Sequence, residues 1–171
     1  FYTARDSGGT NNPLYFGSLN YFSDGIGGNR VKALLATSNM LAVFKDGDDG
    51  CGSIFYHSPK ETDYPILPKI YPTAYVHSGV YATGDAITFF DDPLFVSPLG
   101  ICALEKQAIN LDRSVCTRSH NVNAMLLAEN PEKIRLTEWC GYLAVLSEGR
   151  IYLADSRAIF THKTGNKEYE W

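Results

Sequence analysis

The chain has 171 residues, of which 44% are hydrophobic, 20% charged and 13% aromatic, a composition typical of a folded globular protein and not of a disordered tail. Its net charge of −4 argues against a nucleic-acid-binding surface, because such a surface needs clustered Lys and Arg. The sequence contains no run of apolar residues long enough to span a membrane, and its eleven Tyr and nine Phe favour β structure.

The N-terminal stretch holds two short aromatic segments, Pro13–Phe16 and Leu19–Phe22, which we interpret as part of an incomplete β unit. The chain starts at Phe1 with no charged and apolar leader, and its last residues, Glu168–Trp171, resemble the start of a strand. We therefore expect residues 1–171 to form a single β-repeat domain that is a fragment of a longer chain.

Three similar units follow, at approximately residues 31–57, 86–104 and 133–155. Each contains one apolar strand and then two further strands joined by a turn. Ile54, Ile101 and Ile151 take the same place in the three units, so the intervals are 47 and 50 residues. A period of this length is typical of one β-propeller blade or of a similar all-β repeat.

The stretches between the units are expected to supply a fourth strand for each. Residues 58–76 carry four prolines, which predict an extended connection or an edge strand. Segment Asn121–Glu129 is the one stretch with helical character, capped by Asn121 and ended before Pro131. The predicted fold class is thus all-β, with antiparallel meanders that form a β-propeller of about three to four blades or an arc of one. A sandwich of the same meanders is the alternative.

Acidic residues occur at turns. Asp46–Gly50 resembles the start of a calcium loop but lacks the third ligand and the closing Glu, so a hairpin turn is the better interpretation. Asp91-Asp92 before a proline is likewise typical of a turn. Carboxylates from different units, such as Asp85, Asp92 and Asp155, would form a site only if the fold brought them together.

Metal and nucleophile signals are weak. The four cysteines and four histidines show no zinc spacing, and we expect reduced thiols, with Cys102 as a small buried hydrophobe. Gly25–Gly28 predicts a loop and not a phosphate cradle. Arg113 and Arg118 flank Cys116 and either bind an anion or serve in surface ion pairs. We predict no catalytic, cofactor-binding or metal-binding residue and no cofactor.

Two families of propeller proteins are relevant. The turn box of sialidase-type propellers is only fragmentary at Thr3–Gly9. The segment Glu138–Arg157, followed by Tyr169–Trp171, resembles blades of propeller-like structural proteins encoded by tailed bacteriophages and prophages, which occur in virion gene clusters of gut Firmicutes. The resemblance covers residues 30–171, brings no catalytic residue, and implies a rigid, multivalent surface at a head–tail junction or tail tip.

The sequence therefore predicts a non-enzymatic structural or interaction propeller, a phage or prophage virion component assembled in the bacterial cytoplasm. Its partners would be other protein subunits, with no nucleic acid and no membrane span. Tyrosines of the links would suit such contacts or would pack between blades; they are Tyr64, Tyr71, Tyr75 and Tyr81. The alternative is a propeller that binds or hydrolyses carbohydrate through carboxylates and aromatic side chains.

Overall fold

A computed structural model describes residues 30–37, 40–46, 53–60, 69–76, 82–106, 113–161 and 167–171. The strands in these ranges are β1 (Val31–Thr37), β2 (Met40–Lys45), β3 (Ser53–Lys60), β4 (Lys69–Val76), β5 (Ala86–Phe89), β6 (Asp92–Ser97), β7 (Gly100–Lys106), β8 (Arg113–Thr117), β9 (Arg135–Trp139), β10 (Tyr142–Ser147), β11 (Arg150–Thr161) and β12 (Lys167–Glu170). A short helix α1 (Asn123–Leu126) follows a 3₁₀ turn, and a second 3₁₀ turn covers Pro131–Lys133.

The strands form three antiparallel sheets of four, each in sequential order: β1 to β4, β5 to β8 and β9 to β12. The all-β fold class is confirmed. The fourth strands of the first two sheets, β4 and β8, come from the stretches between the units, as predicted, whereas β12 of the third sheet comes from the segment after the last unit. The proline-containing β4 lies at a sheet edge, where a residue without an N–H is tolerated.

Burial explains the residue pattern of the strands. β6 is buried along nearly its whole length, which is typical of a strand covered on both faces. β9 alternates instead, with Leu136 buried between exposed neighbours, as expected of a strand covered on one face. The three hairpins predicted from sequence are β2–β3, β6–β7 and β10–β11.

Two tight turns need left-handed backbone. The β5–β6 turn consists of Phe90 and Asp91, at φ +43° and +63°, so Asp92 is already the first residue of β6. The β9–β10 turn uses Cys140 and Gly141 in the same region. Both turns match the hairpin type whose two central residues take positive φ. Gly149 takes φ +99° in the β10–β11 turn, as its sequence position predicts.

The predicted helix is present but shorter, and its predicted cap is wrong. Asn121 lies inside the 3₁₀ turn, and α1 is preceded by Val122 with no capping side chain. Asn123 instead anchors the helix on the β6–β7 turn, where its side-chain amide donates to the carbonyl of Leu99 (3.0 Å). Gly100 is required at this contact because it has φ +104° and because a Cβ there would clash with Asn123.

The second sheet lies between the other two and separates two hydrophobic cores. The first core contains Leu35, Ala42, Phe44, Ile54 and Tyr56 of the first sheet, with Phe95, Cys102 and Leu104 of the second. The second core contains Leu94, Val96, Ile101 and Ala103 of the second sheet, α1, and Leu136, Leu143, Val145, Ala154 and Tyr169 of the third. The first strands of the sheets are neighbours, since β1 contacts β5 and β5 contacts β9.

Several predicted features lie outside the described residues: the segments before residue 30, the turn at 47–50, and the histidines at 77 and 162. The side chains of Arg113 and of the four link tyrosines are also outside them. Within the described part of the chain, no helix has the length and apolar character needed to cross a membrane.

Candidate functional site

A cavity of about 820 Å³ opens where the three sheets meet near the β5–β6 turn. Its volume falls in the range typical of small-molecule sites. Its lining combines both charge signs with an aromatic rim: Thr37, Thr88, Phe90, Asp91, Asp92, Pro93, Leu104, Glu105, Arg118, Ser156, Arg157, Ile159, Lys167 and Tyr169. Each sheet thus contributes to its walls.

Arg118 is the buried centre of this lining. It follows β8, and its side chain is only 2% exposed. The guanidinium donates to both oxygens of Asp92 (2.8 and 3.2 Å), to Glu105, and to the carbonyl of Lys167 (3.0 Å). A buried charge is tolerated only when such partners compensate for its lost hydration.

The electrostatics hold this centre in its charged form. Burial alone would lower the pKa of Arg118, but the hydrogen bond and charge of Asp92, followed by those of Glu105, outweigh it and raise that pKa above its ordinary value. Asp92 and Glu105 share the guanidinium of Arg118, and each accepts a hydrogen bond from it. This ion-pair cluster connects β6 and β7 to the residue that follows β8.

Tyr169 connects this ion pair to the third sheet. Its hydroxyl donates to Asp92 (2.6 Å), and its ring packs edge-on against Phe89 at 5.9 Å. Burial raises the pKa of Tyr169, and the hydrogen bond and charge of Asp92 raise it further. The phenol therefore stays protonated and acts as a hydrogen-bond donor.

The rim of the cavity presents an aromatic side chain to solvent. Phe90 is 62% exposed and is held at φ +43°, which is costly for a bulky residue. On the third sheet, Arg157 donates to Asp155 (2.7 and 2.8 Å) and lies 4.9 Å from the ring centre of Tyr142. The hydrogen bonds from Arg157 lower the pKa of Asp155 to about 2.

The three carboxylates singled out from sequence do not converge. Asp85 accepts hydrogen bonds from the backbone of Ala86 and Leu136, at the opposite end of β5 from Asp92, while Asp155 pairs with Arg157. Of these three, only Asp92 lines the cavity, where Asp91 and Glu105 join it.

Two further sequence interpretations can be compared with the structure. Arg118 is neither an exposed ion-pair residue nor an open anion site, because it is buried and bound to two carboxylates. Cys102 is fully buried, as predicted, and its sulfur lies 3.2 Å from the hydroxyl of Ser97. Cys102, Cys116 and Cys140 are free thiols. Among the described residues, no group of three His, Cys, Asp or Glu side chains is placed to hold a metal ion.

The sequence gives no local signal for this arrangement. Asp92, Glu105, Arg118 and Lys167 are 13 to 77 positions from the groups that they contact. Comparison with protein-family models, with curated proteins and with solved structures finds no match to this chain.

Proposed function

We propose that this chain is a non-enzymatic structural and interaction module built as an arc of a β-propeller, in which each four-stranded sheet is one blade. The observation that carries the proposal is the serial stacking of the sheets through two cores, with β1, β5 and β9 side by side. Radially stacked four-stranded meanders with neighbouring first strands are the arrangement of propeller blades.

The charged groups also suit a scaffold. Arg118, Asp92 and Tyr169 form ion-pair and hydrogen-bond contacts that join two sheets. Such buried, mutually satisfied groups stabilise one geometry, and a carboxylate occupied by an arginine is poorly placed to donate or accept a proton in a reaction. The resemblance of Glu138–Arg157 to blades of phage structural proteins supports the proposal that the assembly containing this module is a virion.

The test is to search for the chain in phage particles. Particles are released from the encoding bacterium by prophage induction, purified by density, and analysed by mass spectrometry beside the cell lysate. We expect peptides of this chain to be enriched with the particle proteins. Their presence in the lysate together with their absence from particles would contradict the virion assignment.

A second candidate is carbohydrate binding, which the cavity favours because an exposed aromatic ring stands beside carboxylates at its mouth. The probe is a glycan array, followed by titration calorimetry with any glycan retained. Phe90→Asn should abolish binding, since Asn tolerates the left-handed backbone but offers no ring. Leu99→Asn, at an exposed turn outside the cavity lining, is the matched control. An array without selective binding would exclude this candidate.

A further inference from the structure

One pair of apolar residues takes the same position in each of the three hairpins. Phe44 pairs with Ile54, Val96 with Ile101, and Leu146 with Ile151, each one step from the pair that closes the turn. In the first two hairpins this pair faces the next sheet along the chain and is fully buried by it.

The third pair is not covered. Ile151 is 65% exposed and Leu146 is 38% exposed. Leu153 and Trp139 lie on the same side of the third sheet as this pair, and they are 40% and 58% exposed. We call Trp139, Leu146, Ile151 and Leu153 the open face. Several large apolar side chains exposed on one side of a sheet mark an interaction site.

The covered pairs indicate which chemistry fits such a face. The pair Phe44 and Ile54 is covered by Phe95, Cys102 and Leu104 of the second sheet. The pair Val96 and Ile101 is covered by medium-sized aliphatic side chains of the third sheet, Leu143, Val145 and Ala154. In both cases the cover is the face of an antiparallel β-sheet, packed in the layered manner of sheets that stack face to face.

Among the described residues, the central strands of the first sheet of a second copy have no exposed face that could pack on the open face in the way the second and third sheets pack on the covered pairs. The side of the first sheet that would meet the open face carries Val43, Lys45 and His57, and these are already buried at 3%, 8% and 1% exposure. A head-to-tail contact between two copies would therefore meet a face that is occupied within each copy. This observation argues against a head-to-tail contact between two copies.

The charges beside the open face define the partner further. A groove of about 390 Å³ joins Leu146 and Ile151 to basic side chains. Lys133 pairs with Glu148, and Arg150 pairs with Glu129. Arg135 lies opposite Leu146 on the side of the open face, and within the described part of the chain its guanidinium donates to backbone carbonyls and to no carboxylate.

Arg135 is therefore the cation of this groove that no described carboxylate neutralises. Its guanidinium is fixed at the edge of the apolar surface by the carbonyls of Glu132 and Ile134, both at 2.9 Å. A partner that buries Ile151 would also cover Arg135 and would have to supply a negative group there. The four residues of the open face include no carboxylate, so the open face of a second copy would not supply this group, and a different protein is favoured as the partner.

We propose that the open face binds a β-sheet of a different protein subunit, whose covering face carries aliphatic side chains and a carboxylate that pairs with Arg135. This proposal rests on the proposed function and names the partner of that scaffold. The contact extends the sheet stacking seen twice within the chain to a third interface.

The experiment replaces Ile151 with the photocrosslinking residue p-benzoyl-phenylalanine in the full chain, expressed in the encoding bacterium. Irradiation is expected to yield an adduct with one other protein, at a strand that alternates aliphatic residues and carries a neighbouring Asp or Glu. The same replacement at Leu99, which is 51% exposed on a turn of the second sheet, is the matched control and should give no such adduct.

Charge reversal separates a specific contact from accidental capture. Arg135→Glu should reduce the adduct by at least about tenfold, and exchange of the partner's carboxylate for Lys should restore it. Arg135 is exposed, so thermal unfolding of the variant should be unchanged. An adduct with a second copy, an adduct within the same chain, no adduct, or an adduct insensitive to Arg135→Glu would each overturn the proposal.

The outcome also distinguishes this inference from the proposed function. If particles contain the chain and no adduct forms, the docking inference is wrong and the virion assignment stands. If an adduct with the expected charge dependence forms in cells while particles lack the chain, the docking surface stands and the virion assignment is wrong.

Discussion

The second and third sheets share strand order and hairpin pairing, yet the second is covered on both faces and the third on one. Ile101 and Ile151 occupy the same hairpin position and have 0% and 65% exposure. The hairpin therefore determines which way a side chain points, whereas the presence of a neighbouring sheet determines whether it contributes to stability. The two sheets therefore allow packing within the chain to be compared with a face that nothing covers in the described part of this structure.

The largest effect is expected at the ion pair that joins these two sheets. Arg118→Met should lower the free energy of unfolding by about 3–5 kcal/mol, because it leaves Asp92 and Glu105 partly buried without their cation. Arg150→Met is the control: Arg150 is 68% exposed and Glu129 keeps the hydrogen bonds from Ser147 and Tyr152, so loss of this pair should cost below about 1 kcal/mol. Urea denaturation measures both, and equal losses would contradict the assigned role of Arg118.

The comparison of the two sheets is tested most directly by the matched isoleucines. Ile101→Ala should cost about 3 kcal/mol, since it leaves a cavity in a close-packed core. Ile151→Ala should change stability by less than about 0.5 kcal/mol, since the side chain is mostly in solvent. Denaturant unfolding of the purified chain gives both values. A cost above 1–2 kcal/mol at Ile151 would show that the open face is covered.

A smaller effect is expected at the hydrogen bond between Tyr169 and Asp92. Tyr169→Phe should cost about 1.5–2 kcal/mol at neutral pH, as is typical for a hydrogen bond to a charged acceptor. Leu153→Ala on the uncovered side of the same sheet serves as the control and should be nearly neutral. An equal loss in both variants would indicate a general weakening of the third sheet.

The same tyrosine predicts a loss of stability in alkali. Its pKa is raised in the folded state, so folding favours the protonated phenol. This contribution is fully present below the unfolded tyrosine pKa of about 10 and is lost as the pH rises above it. Unfolding free energy should fall above that pH in the natural chain and fall less in the Tyr169→Phe variant. Parallel pH dependence of the two proteins would contradict the assignment.

The smallest effect is expected at the exposed pair of Asp155 and Arg157. Because the pKa of Asp155 is lowered from 3.8 to about 2, its contribution is present above pH 3.8 and lost as the pH falls through 2. The melting temperature of the Asp155→Asn variant should therefore change slightly less between these pH values than that of the natural chain. The same acid dependence in the natural chain and in the Asp155→Asn variant would contradict this contribution.

The strands were predictable because their signal is local. The alternation in β9, the apolar runs of β6 and β10, and the turn residue Gly149 each lie within a few positions of one another. The helix at α1 was placed correctly for the same reason, although its cap at Asn121 was not.

The buried site was not predictable because its contacts are long-range. Arg118 lies 26 positions from Asp92 and 49 from Lys167, and an isolated arginine beside a cysteine gives no sign of burial. The exposure of Ile151 was not predictable either, because its local sequence resembles that around Ile54 and Ile101, which are fully buried. The sequence pattern shows which face of a strand is apolar, whereas only the three-dimensional structure shows whether another sheet packs on that face.

The position of β6 between two cores makes it sensitive to changes in length. Leu94 and Val96 belong to one core and Phe95 to the other, so consecutive side chains serve different neighbours. Deleting or inserting a single residue within β6 would turn the side chains beyond that point to the opposite face, so that residues of one core would enter the other. Length variation in this molecule should therefore be confined to the connections, with the central strand kept in frame.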